Sequence, residues 1–81
     1  LKPTYGAISR YGLVAYASSL DVIGVCTRTV YDNALVFSEL VGPDGKDATA
    51  IQSIKKTDYT KNLSGVIRPG LKIGVIANMI N

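Results

Sequence analysis

Residues 29–43 read TVYDNALVFSELVGP and carry the clearest secondary-structure signal in the chain. We predict a helix over residues 30–41. Thr29 suits the N-cap position because its hydroxyl can accept a hydrogen bond from an amide of the first turn. Asp32 then lies near the positive end of the helix dipole, and the Gly-Pro pair that closes the stretch is typical of helix ends. Apolar residues with helical spacing predict one face packed on a core: Val30, Ala34, Phe37, Leu40 and Val41.

The segments on either side of this helix predict strands. Residues 12–17 and 22–26 are short apolar runs that precede the helix, and residues 71–76 form a third run late in the chain. Such runs are typical of strands covered on both faces of a sheet. The order strand, strand, helix, strand indicates part of an α/β fold, and it leaves apolar faces without partners. Gly24 either weakens the second strand or marks a close approach of another backbone.

The stretch between the helix and the last predicted strand is polar. Residues 43–45 read Pro-Asp-Gly, which is a strong turn signal. From there to residue 64 the pattern is weak. Because a structureless loop of this length is uncommon, we expect a short helix near residues 48–55.

Composition limits the kind of protein this is. The chain has 81 residues, 47% apolar and 19% charged, which indicates a globular segment rather than a disordered one. No apolar run is long enough to span a membrane, and the first residues are not followed by the apolar stretch that a secretory signal would have. With no His and a single Cys, neither a zinc site nor an internal disulfide is expected, and Cys26 is interpreted as a small buried apolar residue. Because the first residue is Leu1 rather than Met, we expect a processed chain or a piece of a longer one.

Several motifs follow one another in a characteristic order. They are KPTYG at residues 2–6, SRYGL at 9–13, ASSLD at 17–21, TRTV at 27–30, GPDGKDAT at 42–49 and LKIGV at 71–75. In this order they resemble the amidase signature family, most closely the amide-hydrolysing component of its tRNA-dependent amidotransferases. Two positions depart from the family pattern: Ala7 stands where Arg is usual, and Val25 where Pro is usual.

The resemblance implies both a fold and a chemistry. The fold is an α/β/α arrangement around a mixed β-sheet, and residues 1–81 would be an internal segment of one amidase domain. The chemistry is amide hydrolysis by a Ser-Ser-Lys triad, with glutamine as the ammonia source. ATP and Mg²⁺ would be used by a partner subunit that acts on a misacylated tRNA. The location would be the bacterial cytoplasm, a mitochondrion or a plastid, with no membrane contact.

The resemblance also places the triad upstream of this segment. No catalytic, substrate-binding, cofactor-binding or metal-binding residue is therefore expected here. Five residues could support the catalytic site without touching the substrate, or could have only a structural role: Arg10, Ser18, Ser19, Asp21 and Arg28. The serines are interpreted as turn or cap residues, and Asp21 as an acceptor for backbone amides of that turn. Arg10 and Arg28 are interpreted as buried partners of carboxylates or helix ends.

Two other functions are compatible with the sequence. The chain could be a stand-alone structural or interaction domain descended from an amidase. It could also be a small basic nucleic-acid-binding module, because residues 46–81 hold six Lys and Arg against two Asp, whereas residues 1–45 hold three against four acidic residues. The lysines are scattered, which is also typical of a solvated loop surface.

Overall fold

The computed structural model describes residues 1–80. Within that part of the chain the one α-helix, α1, spans Val30–Leu40, and a single turn of 3-10 helix follows at Ala77–Met79. The predicted cap is confirmed, because the Thr29 hydroxyl accepts a hydrogen bond from the Asp32 amide at 3.0 Å. The helix ends one residue earlier than predicted. Val41 has an extended backbone and caps the helix, and its amide donates to the Phe37 carbonyl at 2.9 Å.

No β-strand forms among residues 1–80. The segments predicted as strands are irregular or form turns here, so the structure does not confirm these three predictions: residues 12–17, 22–26 and 71–76. The physical reason is that a strand is stabilised only by a neighbour that exchanges backbone hydrogen bonds with it, and these segments find almost none in this chain. The α/β expectation is therefore met for the helix and not for the sheet.

Isolated pairings take the place of a sheet. Ile8 forms single bridges with Val41 and Gly42, at the end of α1. A second pairing joins Leu1 and Val25. The Leu1 amino group donates to the Val25 carbonyl at 2.8 Å, and the Val25 amide donates to the Leu1 carbonyl at 3.2 Å. A Cβ atom on Gly24 would collide with that same carbonyl of Leu1, so Gly24 does mark a close backbone approach.

The predicted short helix at residues 48–55 is also absent. Two separate turns occupy this region, one closed by the Ala50 amide and the Asp47 carbonyl at 3.1 Å, the other by the Ile54 amide and the Ile51 carbonyl at 3.3 Å. The first of these turns is tied to side-chain acceptors described below, which compete with helix formation.

The core is a small cluster at the C-terminal end of α1. Ile8, Val25, Phe37 and Val41 are buried together, and Ile23 and Ile54 pack against them. The predicted helix face is therefore only partly covered: Phe37 and Val41 are buried, whereas Val30 is 74% exposed. The rest of the chain buries residues only in the last turns of α1. In the first turn, the Asn33 side chain donates to the Val25 carbonyl at 2.9 Å, and Val30 stays exposed.

One buried polar side chain links α1 to the segment that returns past it. The Ser38 hydroxyl donates to the Ala34 carbonyl at 2.6 Å and accepts from the Tyr59 amide at 2.9 Å. The Tyr59 ring lies 5.0 Å from the Phe37 ring, between their centroids. This contact holds residues near 59 against the helix.

Much apolar surface is left uncovered. The accessible surface is 6831 Å², against roughly 4,700 Å² for a compact protein of this mass. The radius of gyration is 15.0 Å, against roughly 12 Å for a compact domain of this length. Large side chains that are exposed include Leu13, Val14, Val66, Ile67, Ile73 and Val75. None of the helices in the described residues is both long and apolar enough to cross a membrane.

Candidate functional site

The guanidinium group of Arg10 is the centre of a polar cluster that joins several segments of the chain. Its side chain is only 11% exposed. Nη1 donates to the carbonyl oxygens of Ser18 and Asp21, the latter at 3.2 Å. Nη2 donates to Tyr5 Oη at 2.9 Å and to Thr49 Oγ1 at 3.0 Å. The planar, permanently charged fork of an arginine suits such multiple acceptors, and a lysine amine does not reproduce it.

Tyr5 binds both the Arg10 guanidinium group and the Ser18 carbonyl. Its hydroxyl accepts from Arg10 and donates to the Ser18 carbonyl at 3.0 Å. Its ring lies under the guanidinium carbon of Arg10, 4.7 Å from the ring centroid, which is a cation–π distance. The carbonyl of Ser18 is therefore held by two donors that also hold each other.

Asp47 binds the backbone amide of Arg10 and shares Thr49 with the Arg10 side chain. Its carboxylate accepts from the Arg10 amide at 2.8 Å, from the Thr49 amide at 2.8 Å and from Thr49 Oγ1 at 2.7 Å. The hydrogen bond from the Arg10 amide, followed by those from Thr49, holds the pKa of Asp47 below its ordinary value of 3.8. Arg10 Nε lies 3.8 Å from Asp47 Oδ2 and makes no hydrogen bond of its own. We call the following residues the Arg10 cluster: Tyr5, Arg10, Ser18, Asp21, Asp47 and Thr49.

The turn over residues 17–21 is fixed from its other end by Asp21. Its carboxylate accepts from the Tyr16 amide at 2.9 Å and from the Ala17 amide at 3.1 Å. The amides of Leu20 and Asp21 both donate to the Ala17 carbonyl, at 2.7 and 2.9 Å. The backbone role expected of Asp21 is therefore present in the structure.

The two serines of this turn are exposed and keep their hydroxyls free. Among residues 1–80 no hydrogen bond joins the hydroxyl of Ser18 or Ser19 to another group, and no lysine amine donates to any serine. Ser18 borders an open cleft of about 230 Å³, together with Arg10 and Asp21. Lys46 lines the same cleft and lies 5.1 Å from the ring centroid of Tyr11.

Two expectations from the sequence are wrong. Arg28 is exposed rather than a buried partner, and it borders an apolar groove of about 610 Å³ beside the first turns of α1. Cys26 is exposed as well. The inward position next to it is taken by Val25, which is 5% exposed. The described residues contain no group of three or more His, Cys, Asp or Glu arranged to hold a metal ion.

Sequence reasoning misses half of the Arg10 cluster. Tyr5, Asp47 and Thr49 belong to the motifs, but nothing in the motifs predicts them near the 17–21 turn. A local signal exists for Asp47, because Asp followed two residues later by Thr is typical of a turn closed by the carboxylate. Nothing local indicates that this turn meets Arg10, which lies 37 residues earlier.

Comparison with known proteins assigns the chain to a class. The family model described as Amidase matches residues 1–81. The chain belongs to the amidase family, which confirms the resemblance seen in its motifs.

Particular relatives share one name: each is the A subunit of a glutamyl-tRNA(Gln) amidotransferase. The relative from Trichodesmium erythraeum is 51% identical over 78 residues, which is 94% of this chain and 16% of the relative. Those from Exiguobacterium sibiricum and Synechococcus elongatus are 57% and 50% identical, over 93% and 99% of this chain and 15% and 16% of their own. The chain thus spans about one sixth of these relatives. No solved structure matches it.

Proposed function

We propose that this chain is an internal segment of the amide-hydrolysing subunit of a tRNA-dependent amidotransferase. The whole subunit would hydrolyse glutamine and supply ammonia for converting Glu-tRNA(Gln) to Gln-tRNA(Gln). The observation that carries this proposal is the identity of 50–57% with relatives named as the A subunit of glutamyl-tRNA(Gln) amidotransferase, over nearly all of this chain.

The uncovered apolar surface supports the proposal that residues 1–81 are one part of a single amidase domain. Residues 12–17 and 71–76 present apolar side chains to solvent and have no strand neighbour. Surfaces of this kind mark contacts with other structure. In the complete domain these segments would pair with strands from elsewhere and build the mixed β-sheet of the α/β/α fold.

The same proposal gives this segment a supporting role in the chemistry. Within residues 1–80 no lysine donates a hydrogen bond to a serine. The triad would come from the rest of the subunit. The segment would bind no ATP or Mg²⁺, which a partner subunit would use. Its immediate partner would be the rest of the amidase domain, with the other subunits and, indirectly, tRNA beyond it. The relatives named above are bacterial, and we place the enzyme in the cytoplasm.

The test compares the isolated chain with the full-length protein that carries it, purified with its partner subunits. Release of glutamate from glutamine is measured first, and then formation of Gln-tRNA(Gln) with ATP. We expect the complex to catalyse both reactions and the isolated chain to stay at the blank rate. A folded complex that hydrolyses only a simple free amide would contradict glutamine as the proposed substrate. One that converts only Asp-tRNA(Asn) would contradict Glu-tRNA(Gln). Glutamine hydrolysis by the isolated chain would overturn the supporting role.

A further inference from the structure

We propose that the exposed backbone of Cys26 and Thr27 is the pairing edge for the segment that precedes Leu1 in the full-length subunit. That segment would run antiparallel to residues 25–27 and cover the apolar groove beside the first turns of α1. The inference rests on the proposed function, in which the subunit continues before Leu1. The chain spans about one sixth of its relatives, so most of such a subunit lies outside it.

The first argument is the pairing that the structure already contains. Leu1 and Val25 exchange two backbone hydrogen bonds, at 2.8 Å from the Leu1 nitrogen and at 3.2 Å from the Val25 amide. A reciprocal exchange of this kind defines a hydrogen-bonded pair of an antiparallel ladder. In a longer chain the Leu1 nitrogen is a peptide amide, which can still donate to the Val25 carbonyl. Gly24 lets the two backbones approach, since a Cβ atom there would collide with the Leu1 carbonyl.

The second argument is the direction in which this ladder can grow. Two residues after Leu1, the next hydrogen-bonded pair would be Pro3 with Ile23, and no backbone hydrogen bond joins them. Proline has no amide hydrogen, so the ladder stops there. In the other direction lies Thr27, which is exposed. Within residues 1–80 neither its amide nor its carbonyl has a hydrogen-bond partner, so this edge is open for pairing.

The third argument is where the pairing leads. Leu1 and Thr27 both line the apolar groove of about 610 Å³, together with Ala34 and Phe37 of α1. The preceding segment is covalently joined to Leu1, so its last residues must lie at this groove. Side chains directly opposite each other in a ladder share one face. The residue two positions before Leu1, opposite Thr27, would therefore face the groove, and we expect it to be apolar.

The experiment uses the full-length protein with its partner subunits and takes Cys26 as a reporter of register. If Leu1 pairs with Val25, the residue immediately before Leu1 lies opposite Cys26 in a non-hydrogen-bonded pair, with Cα atoms about 4.5 Å apart. A disulfide can span that distance. Replacement of the preceding residue by Cys, followed by oxidation with oxidised glutathione, should therefore consume both thiols. Digestion and mass spectrometry should then find one crosslinked peptide that contains Cys26.

Two variants are matched controls for this crosslink. A cysteine placed two positions before Leu1 would lie on the opposite face from Cys26, so it should crosslink much more slowly. Cys26→Ser, combined with the first substitution, removes the second thiol and should abolish the crosslink.

A second readout needs no substitution. In hydrogen exchange of the full-length protein, the Thr27 amide should exchange as slowly as the Val25 amide, because both would donate to one ladder.

The outcomes are distinct. Crosslinking of Cys26 from the adjacent position alone, with a slow Thr27 amide, supports the pairing. Equal crosslinking from both positions, or none from either, in a complex that hydrolyses glutamine would overturn the pairing and leave the proposed function standing. A slow Thr27 amide without the crosslink would show that a different strand occupies this edge, which also overturns the inference. A folded complex that hydrolyses no glutamine would overturn the proposed function, and the crosslink, which is read without activity, decides the pairing separately.

Discussion

At the residue scale, Arg10 is placed by acceptors spread along the sequence. They lie 5, 8, 11 and 39 residues away. Patterns within a few residues predict local hydrogen bonds well, and the bonds from the Asp21 carboxylate to its own turn are an example. They do not predict which distant turn an arginine meets, since that depends on the path of the whole chain. For this reason the sequence makes Arg10 a candidate, whereas it does not single out Asp47 and Thr49.

Asp47 gives a prediction about pH. Because the folded pKa lies below 3.8, the stabilisation from its ionised form is fully present above about pH 4 and is lost as the pH falls further, through the folded pKa. The amides of Arg10 and Thr49, which donate to this carboxylate, should therefore keep their hydrogen-exchange protection down to about pH 4 and lose it as the pH falls further. The measurement is hydrogen exchange of the full-length protein, corrected for intrinsic rates.

The control for this prediction is Asp47→Asn. Its amide does not titrate in this range, so protection of the Arg10 and Thr49 amides should be lower throughout and should not change with pH. If the unsubstituted protein showed the same flat profile, Asp47 would not be the acceptor that fixes this turn.

At the element scale, α1 could be predicted closely because its signals are local. The Thr29 hydroxyl, the apolar spacing and the Gly-Pro pair set both ends to within one residue. The strands could not be predicted in the same way. Residues 12–17 and 71–76 have the composition of strands, but a strand requires a neighbour, and no neighbour is supplied within the described part of this chain. The exposed Val30 has the same explanation, since the described residues bury the last turns of α1 and not the first.

Thr29 gives the prediction for this helix. Thr29→Ala removes the acceptor for the Asp32 amide and should lower the free energy of unfolding by about 1 kcal/mol. Thr29→Ser keeps the hydroxyl and should stay within a few tenths of a kcal/mol of the unsubstituted protein, on the order expected for exchanged capping residues. Urea denaturation of the full-length protein measures both. Equal losses for the two variants would show that the hydroxyl does not cap α1.

At the scale of the whole molecule, the surface is much larger than a compact chain of this length requires. We predict that the isolated chain gives a weak near-ultraviolet circular dichroism signal and a broad thermal transition, because its core is small and its apolar faces lack partners. Circular dichroism during heating is the measurement. A sharp, cooperative transition in the isolated chain would favour a stand-alone structural or interaction domain instead.

The most direct test of the central claim is a segment exchange. The matched 78 residues of the Trichodesmium erythraeum relative would be replaced by their counterparts from this chain. Glutamine hydrolysis would then be measured with the partner subunits present. A segment of the same composition in scrambled order serves as the control and should give no folded enzyme. We predict that the exchanged protein assembles and keeps a rate within about tenfold of its parent, or about 1.4 kcal/mol in activation free energy. An exchanged protein that folds and assembles but hydrolyses no glutamine would contradict the account.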